Sequence, residues 1–377
     1  MIVTEIYKGS GLGNQLWNLI VTKILAEKHG YSWGVMKTTP FKAHKFMPQF
    51  DFGDKVIGGY THIEGLKPAE LPQGIENYIR EKPVILPECR NDGIFFDHYL
   101  WNELPDKSKL DGTFQCMSYI KGKKEVIRSW LKHNINIKDY SHKDICVIHF
   151  RGGEYLIGQS LCPPEYYKMA IEKMLEINPK MRFVVVTDDP KSAKKFIPNV
   201  SIIGSSIMKE RDTLRQGTGL YEYKGGNIGV DYSILHNAKN VIISASTFSF
   251  WPVWTSEFAN NVIAPKYWFD YNISNGWWRG VDSIVEEWNY LDVQGELTSG
   301  KACKYFYEIY KESSPHYKSG KLISVSPSSQ IKLNRKNKLL YLLKEKKIKF
   351  MSNFRNTNYK IYLKFIFSKL KRKVFKN

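Results

Sequence analysis

Apolar residues near the start of the chain follow first the spacing of a strand and then that of a helix. Residues 2–7 are rich in β-prone side chains, and a glycine-rich run at residues 9–13 ends this strand. From residue 14 to Gly30, apolar side chains recur at helical spacing, and Gly30 predicts where the helix stops. This order of strand, turn and helix predicts the opening of an α/β domain. Residues 38–115 show only weak periodicity.

A second α/β segment begins near residue 144, where short apolar runs alternate with helical patterns. The pattern predicts strands at residues 145–150, 183–187, 200–203 and 241–244, and helices at residues 164–177, 192–196 and 231–238. Strands that alternate with helices indicate a parallel, doubly wound sheet. Ligands of such sheets bind at the carboxyl ends of the strands, so polar residues at those ends are candidate site residues.

The glycine-rich run before the first helix is one candidate anion site. Backbone N–H groups at a helix N-terminus can hold a phosphate. The spacing here is G-x-G-x-G, because Asn14 stands where a dinucleotide fingerprint has another residue, and the second predicted strand, residues 32–37, carries no acid for a ribose. These features disfavour a nicotinamide site, and an ordinary tight turn remains the alternative.

His149 and Arg151 form a second cluster at the end of a predicted buried strand. Strand alternation places both side chains on the same face. A buried guanidinium needs a partner, and its fork of donors suits a diphosphate. The alternative is a structural ion pair between Arg151 and Glu154.

A third cluster, residues 244–251, follows the predicted strand 241–244. Its small hydroxyl side chains and backbone amides suit phosphate oxygens, although Ser246 or Thr247 as an ordinary helix N-cap is the alternative.

The pair of aspartates at residues 188–189 suggests a metal or acid–base site. An aspartate N-cap followed by proline at the first helical position is the favoured interpretation of that pair.

The net charge of the chain is +19, and most of it is concentrated at one end. Residues 331–377 hold 16 of the 56 Lys and Arg residues but only Glu345 among the 37 acids. The first 330 residues are therefore close to neutral, with 40 basic and 36 acidic residues. A body with this balance has no need of a polyanionic partner, although the total charge alone would suggest nucleic acid or a membrane surface.

Five widely spaced cysteines indicate buried free thiols in a reducing compartment, because no pair has the C-x-x-C spacing of a zinc or dithiol site. The N-terminus lacks the basic and apolar regions of a signal peptide, and no apolar run of about 18 residues predicts a membrane span.

Six motifs in collinear order resemble those of the bacterial α-1,2-fucosyltransferases of glycosyltransferase family 11, over about residues 1–290. In the first half of the chain, GSGLGNQLWN (9–18) corresponds to the family motif GGLGNQMFQYA, and GTFQC (112–116) corresponds to GYFQS. In the second half, HFRGGEY (149–155) corresponds to HxRRGDY and VTDDP (186–190) to FSDDP. Further along, STFSFWPVW (246–254) corresponds to SSFSWWGAWL and IAPKYW (263–268) to IAPKxW.

The resemblance implies a GT-B architecture of two Rossmann-like domains facing across a cleft. The acceptor-side domain is expected at residues 1–143, the GDP-sugar-binding domain at 144–300, a linker at 301–330 and a basic tail at 331–377. It further implies an inverting enzyme without a cofactor or required metal, which moves L-fucose from GDP-fucose to a hydroxyl, expected to be O-2 of galactose, of an O-antigen or other surface-glycan precursor.

The resemblance also assigns roles to individual residues. Arg151 matches the arginine that contacts the donor diphosphate, and Asn14 matches a loop residue that faces the sugar. The expected catalytic residues are Asn14, His149, Arg151 and Glu154, and the expected donor-binding residues are Gly11, Gly13, Asn14, Gln15, Arg151, Asp231, Ser246, Thr247, Phe248 and Ser249. Two departures, Gly152 for the second arginine and Glu154 for the aspartate, leave the donor and the linkage open. The identity of the base that takes the proton of the acceptor hydroxyl is also open, and Glu154 is one candidate.

The basic tail carries an interfacial helix pattern. Between residues 359 and 375, Tyr362, Ile366 and Leu370 fall on one helical face, while Lys364 and Lys371 fall on another. This pattern predicts contact with an anionic membrane on the cytoplasmic side, where lipid-linked glycan acceptors occur. A solvated tail and a nucleic-acid-binding tail are the alternatives, the latter disfavoured because the body has no RNA motif.

The alternatives for the function of the body are a transferase for another GDP-sugar or linkage and a non-catalytic nucleotide-sugar or glycan-binding protein.

Overall fold

A computed structural model of the 377-residue chain describes residues 1–7, 9–59, 70–81, 96–137, 140–157, 161–197, 201–202, 228–272, 278 and 283–313. These residues all fall within one compact unit formed by Met1–Leu214 and Tyr223–Lys332. No helix within the described ranges is long and apolar enough to cross a membrane.

The first sheet is parallel throughout. Its described strands are β1 (Ile2–Thr4), β2 (Trp33–Val35), β3 (Asp54–Lys55), β4 (Asn77–Arg80) and β5 (Ser108–Asp111). Their spatial order is β3-β2-β1-β5-β4. The chain therefore builds outward on one side of β1 and then crosses to the other side, so the strand order reverses between β1 and β5.

The second sheet has the strand order of a dinucleotide-binding fold. Its described strands are β6 (Ile145–Phe150), β7 (Arg182–Thr187), β8 (Ser201–Ile202), β9 (Asn240–Ile242), β10 (Asn261–Pro265), β11 (Asn289–Leu291) and β12 (Leu297–Ser299). They lie in the order β12-β11-β10-β9-β6-β7-β8, and β12 is antiparallel to β11. Counted from β6, the parallel part reads 3-2-1-4-5-6, with its reversal between β6 and β9.

The described helices are α1 (Leu12–His29), α2 (His98–Glu103), α3 (Met117–Ile120), α4 (Lys124–Trp130), α5 (Pro164–Ile177), α6 (Pro190–Phe196), α7 (Ile228–Asn237), α8 (Thr247–Thr255) and α9 (Gly300–Ser313). Helix α1 ends because Gly30 adopts the left-handed conformation, with φ of 70°, and its N–H bonds the carbonyls of Ala26 and Glu27. Proline stands at the first position of α5 and α6, where its missing N–H costs no helical hydrogen bond.

A continuous apolar core joins α1 to α8. The ring of Trp17 lies 5.0 Å from that of Phe250 and 4.7 Å from that of Trp251. All three side chains are at most 3% exposed. The N-terminal halves of α1 and α8 are thereby packed together, one helix following β1 and the other following β9.

The structure confirms the α/β prediction and most element positions. Helix α5 and strand β6 have the predicted bounds, whereas β1 ends at Thr4 rather than at residue 7. Cys116, Cys146, Cys162 and Cys303 are free and buried, as predicted. Cys89 and the tail at residues 331–377 lie outside the described residues, so the helix pattern of the tail stays a prediction.

Candidate functional site

The candidate site lies at the carboxyl ends of β6 and β9, where the strand order of the second sheet reverses. His149, on β6, is 3% exposed, and its Nδ1 lies 2.9 Å from Oγ of Ser244, just after β9. This hydrogen bond joins the two strand ends across the reversal point. In sheets of this kind the crevice for a nucleotide opens at this position.

Arg151 is held at the end of β6 by an aspartate from the neighbouring strand end. Its guanidinium lies 2.6 Å from Oδ2 of Asp188, and Oδ1 of that carboxylate accepts the N–H of Gly152 at 2.8 Å. The guanidinium also lies over the ring of Tyr155, 5.3 Å from its centroid. A planar fork fixed on one side by a carboxylate and on one face by an aromatic ring is well oriented for a second anion.

Asp188 is an ion partner of Arg151 among the described side chains, and it could have been found from register, because Phe150 pairs with Thr187 across β6 and β7. The alternative from sequence was an ion pair between Arg151 and Glu154. The side chain of Glu154 lies outside the described residues, so that pair stays a prediction. Its backbone belongs to a short 3₁₀ turn, Gly153–Ile157.

Asp189 caps α6, which confirms the favoured interpretation of residues 188–189. Its side chain accepts the N–H of Ser192 at 3.2 Å, and Pro190 opens the helix. In the part of the chain that the structure describes, no group of three or more His, Cys, Asp or Glu side chains is placed to hold a metal ion.

The close approach of Asp189 also explains why residue 152 is a glycine. A Cβ at Gly152 would lie 3.0 Å from a carboxyl oxygen of Asp189 and closer still to its Cβ. An arginine at this position, as in the resembled family, would therefore require the 188–189 turn to move.

The turn into α8 uses its hydroxyl groups mainly within the helix itself. Oγ of Ser246 caps the helix by accepting the N–H of Phe248 at 3.3 Å, which confirms the N-cap interpretation. Ser249 is fully buried and donates to the carbonyl of Ser246 at 3.0 Å. Thr247 and Phe248 are partly exposed, so they are the residues of this turn that reach solvent.

The N-terminus of α1 meets the N-terminus of α8. Oδ1 of Asn14 accepts from Oγ1 of Thr247 at 2.7 Å and from Nε2 of Gln115 at 3.1 Å. The indole N–H of Trp251 donates to the carbonyl of Gly13 at 3.0 Å. Two helix N-termini that converge place two sets of partial positive charge at one point, which favours an anion there.

Glycine is required where the two helices touch. A Cβ at Gly13 would lie 2.5 Å from the backbone N of Phe248 and closer still to the carbonyl of Thr247. Gly11, by contrast, is exposed, and nothing lies within 4 Å of its Cβ position. It is the N-cap of α1 and provides no side-chain cap, which leaves the first N–H groups of that helix without a side-chain acceptor from it.

Gln15 and Asp231 are placed in positions where they support the fold around the site. The Gln15 amide donates to the carbonyls of Ser10 and Pro40 and accepts the N–H of Lys42 at 3.0 Å, so it organises the loop around the α1 N-terminus. Asp231 is 2% exposed in the first turn of α7, a helix that packs against α8. The structure thus brings together Asn14, Thr247 and Trp251 in one group and His149 with Ser244 in another.

Comparisons with known proteins give low-identity relatives among glycosyltransferases. No family model matches the chain. It is 26% identical over 132 residues to the O-antigen biosynthesis glycosyltransferase WbnK of Escherichia coli, covering 32% of this chain and 38% of that protein. It is 26% identical over 191 residues to an α-1,2-colitosyltransferase of Escherichia coli, covering 47% of this chain and 60% of that protein. The chain thus spans less than two thirds of the length of either relative.

Solved structures of the fucosyltransferase NodZ also align with this chain. One, an α-1,6-fucosyltransferase soaked with GDP-fucose, is 13% identical with a TM-score of 0.37, covering 79% of this chain and 97% of that chain. Another, from Bradyrhizobium, is 14% identical with a TM-score of 0.40 and the same coverage. Scores below 0.5 do not establish a shared fold.

Proposed function

We propose that this protein is an inverting glycosyltransferase that moves L-fucose from GDP-fucose to a sugar hydroxyl, O-2 of galactose, in an O-antigen or other surface-glycan precursor. The observation that carries the proposal is the placement of Arg151 beside the reversal point of a 3-2-1-4-5-6 sheet, with the α8 N-terminus following the adjacent strand. The names of the two curated relatives support the reaction class. In this proposal the two sheets form the two halves of a GT-B enzyme.

The chemistry requires charge stabilisation on the leaving group. The bond between the anomeric carbon of fucose and the β-phosphate oxygen breaks through an oxocarbenium-like state, and its electron pair leaves with GDP. A cation on the diphosphate stabilises that state more than the bound substrate, because negative charge grows there as the bond breaks. We propose that Arg151 and the first-turn amides of α8 supply this stabilisation without a required metal or other cofactor.

Asn14 sits at the meeting point of α1 and α8, where the transferred sugar would face the first sheet. Its Oδ1 is engaged by Thr247 and Gln115, which fixes the orientation of the side-chain amide. We propose that Asn14 orients the sugar and that His149 and Asp231 line the nucleoside side of the crevice. Glu154 remains a candidate for orienting Arg151.

The assignment is tested by replacing Arg151 with alanine. Loss of one preorganised charge stabiliser lowers rates by about 10²–10³-fold, which is about 3–4 kcal/mol. GDP formation and glycan product would be measured with GDP-fucose and a galactosyl acceptor. Arg182→Ala is the matched control, because this arginine is exposed at the opposite end of the adjacent strand β7. Transfer by Arg151→Ala at the rate of the control would overturn the assignment.

A second donor is favoured by one specific observation, the relative named as an α-1,2-colitosyltransferase. Colitose is fucose without its 3-hydroxyl, so the same diphosphate site would serve both donors. Parallel incubations with GDP-fucose, GDP-colitose, GDP-mannose and UDP-galactose identify the donor by which nucleotide is released. Binding of a GDP-sugar with no turnover of any donor would support the alternative of a non-catalytic binding protein.

We further propose that the protein works at the inner face of the bacterial cytoplasmic membrane, held there by residues 331–377. The excess of basic residues in this tail supports the proposal, since each lysine or arginine near an anionic leaflet contributes about 1 kcal/mol. Co-sedimentation with phosphatidylserine vesicles, compared with oligonucleotide binding at the same salt, tests it. Preference for the oligonucleotide, or equal vesicle binding by residues 1–330, would contradict it.

A further inference from the structure

A small polar cleft opens at the carboxyl ends of β1 and β5, the point where the strand order of the first sheet reverses. Its cavity volume is about 20 Å³, which is room for about one water-sized group. Its walls include side chains with hydrogen-bonding groups, namely Glu5, Tyr7, Ser10, Asn14, Asn18 and Thr113. A small crevice at a reversal point, lined by hydrogen-bond donors and acceptors, is suited to a single hydroxyl group of a ligand.

Glu5 contributes a buried carboxylate to this cleft. The residue is 1% exposed, and its Oε2 accepts from Nζ of Lys109 at 2.8 Å, on the adjacent strand β5. Its Oε1 is also buried and has no hydrogen-bond partner among the described residues. A buried carboxylate oxygen without a partner carries a large desolvation cost, which a hydroxyl or other donor entering the cleft would relieve.

Two neighbouring carboxylates are less suited to contact a ligand in the cleft. Both oxygens of Asp111 accept from phenols, one from Tyr7 at 2.8 Å and the other from Tyr78. Glu81 uses Oε2 to accept the N–H groups of Thr113 and Phe114. Its Oε1, like that of Glu5, is buried without a hydrogen-bond partner among the described residues, but Glu81 is not part of the cleft wall. Burial raises the pKa of Glu81 to about 7. Glu5 is therefore the carboxylate of this group that combines an oxygen without a hydrogen-bond partner among the described residues with a place in the cleft wall.

The cleft adjoins the proposed donor site through a shared residue. Asn14 lines the cleft and also accepts the hydrogen bond from Thr247, at the start of α8. A sugar bound at the α8 N-terminus would therefore lie next to the cleft. An inverting displacement needs an acceptor next to the sugar, on the side opposite to the leaving group.

We propose that this cleft receives the acceptor hydroxyl and that Oε1 of Glu5 accepts its hydrogen bond and, during transfer, its proton. This inference rests on the proposed function. As the acceptor oxygen bonds to the anomeric carbon, the bond from that carbon to the β-phosphate oxygen breaks and its electron pair leaves with GDP. The proton of the hydroxyl passes to Glu5 and then to solvent.

Burial raises the pKa of Glu5 above its ordinary value of 4.5, and the hydrogen bond and charge of Lys109 oppose this shift. Lys37 opposes the shift as well, whereas Asp111 adds to it. A carboxylate with a raised pKa is a stronger base, and it stops acting as one when the pH falls through that pKa. The rate of transfer should therefore decrease on the acid side because Glu5 becomes protonated.

The test compares Glu5→Gln with Glu76→Gln in the full-length protein. Glu76 is an exposed carboxylate just before β4, at the opposite end of the same sheet, where it pairs with Lys107. Loss of a general base lowers transfer by about 10²–10⁴-fold. We expect that loss in Glu5→Gln only, together with unchanged affinity for GDP by calorimetry and a pH–rate profile that has lost its acid limb. Transfer by Glu5→Gln within threefold of Glu76→Gln, or an intact acid limb, would overturn the role of Glu5.

A double variant separates this role from that of a buried ion pair. Glu5→Gln leaves the Lys109 charge buried without its counterion, whereas Glu5→Gln combined with Lys109→Met removes both charges. If Glu5 only balances Lys109, the double variant recovers transfer, and the inference is wrong. If Glu5 accepts the proton, the double variant stays inactive while still binding GDP. A wild-type protein that binds no GDP overturns the proposed function and this inference together, whereas wild-type transfer that Glu5→Gln retains overturns only the inference.

Discussion

Substituting Gly13 by alanine should separate α1 from α8 and uncouple the two halves of the site. An added Cβ would lie 2.5 Å from the backbone N of Phe248, whereas ordinary van der Waals contact begins at 3.4 Å. The obstructing atoms belong to the backbone of α8, so no side chain can rotate away. The helices must therefore move apart by about 1 Å, and the 2.7 Å bond between Asn14 and Thr247 would lengthen with them.

The expected energy has two opposing parts. Alanine is favoured over glycine within a helix by about 1 kcal/mol, so without the clash this substitution would stabilise the protein. Overpacking a well-fitted contact costs about 1–3 kcal/mol, and a shift of about 1 Å at a reacting centre can cost about 10²-fold in rate. We therefore expect unchanged or lower stability together with a loss of transfer of about two orders of magnitude.

Gly11→Ala is the matched control because it makes the same change two residues earlier. Nothing lies within 4 Å of a Cβ at this position, and the φ of −65° suits alanine. Its expected cost is about 0.5 kcal/mol, from the poorer N-cap preference of alanine. Urea denaturation and initial transfer rates would be measured for both variants. Transfer by both Gly13→Ala and Gly11→Ala at the wild-type rate would show that the close approach of α1 and α8 is not needed for the reaction.

Three further predictions follow from the described contacts. Asp188→Asn keeps the shape of the side chain but removes the charge 2.6 Å from Arg151, so transfer should fall by about tenfold; an unchanged rate would mean that Arg151 needs no ion partner. Burial lowers the pKa of His133 and brings that of His236 to about 4. Between pH 6.5 and 4 the unfolded chain then binds more protons than the native protein. The free energy of unfolding should be highest above pH 6.5 and should fall as the pH decreases, by about 2 kcal/mol at pH 5 from His236 alone. In His236→Leu, the difference in the free energy of unfolding between pH 5 and pH 7.5, measured by urea titration, should become smaller. The same difference in the variant and the wild type would contradict a lowered pKa of His236. Burial raises the pKa of Cys162 to about 12, so iodoacetamide at pH 8 should leave this thiol unmodified until urea is added, as read by peptide mass mapping; modification of the native protein would show that it is accessible.

Strand β6, in the middle of the second sheet, could be predicted from sequence because it is buried along its whole length and almost entirely apolar. Strand β6 and helix α5 have the bounds that their patterns predict. The first sheet was harder because β5 buries polar residues. Ser108, Lys109 and Asp111 are at most 3% exposed, so their polarity hides the strand. Their partners lie far away in sequence, as with Glu5, 104 residues from Lys109.

The candidate site was predictable in part, since each polar cluster was expected at a strand end. Register alone would have placed Asp188 beside Arg151. The contact between Asn14 and Thr247 depends on the packing of α1 against α8, for which local periodicity has no signal. Gly13 is the one indication of this packing in the sequence, because a glycine within a helix often marks the close approach of another backbone.

The contacts between α1 and α8 also have a consequence for synthesis of the protein. Gly13 and Trp251, which share a hydrogen bond, are 238 residues apart in the chain. At about 5–20 residues per second, the first helix leaves the ribosome roughly 10–50 seconds before its partner exists. During that interval the apolar side chains of Leu16 and Trp17 have no α8 to cover them. Chaperones that shield nascent chains should therefore influence the yield of active protein more than its final stability.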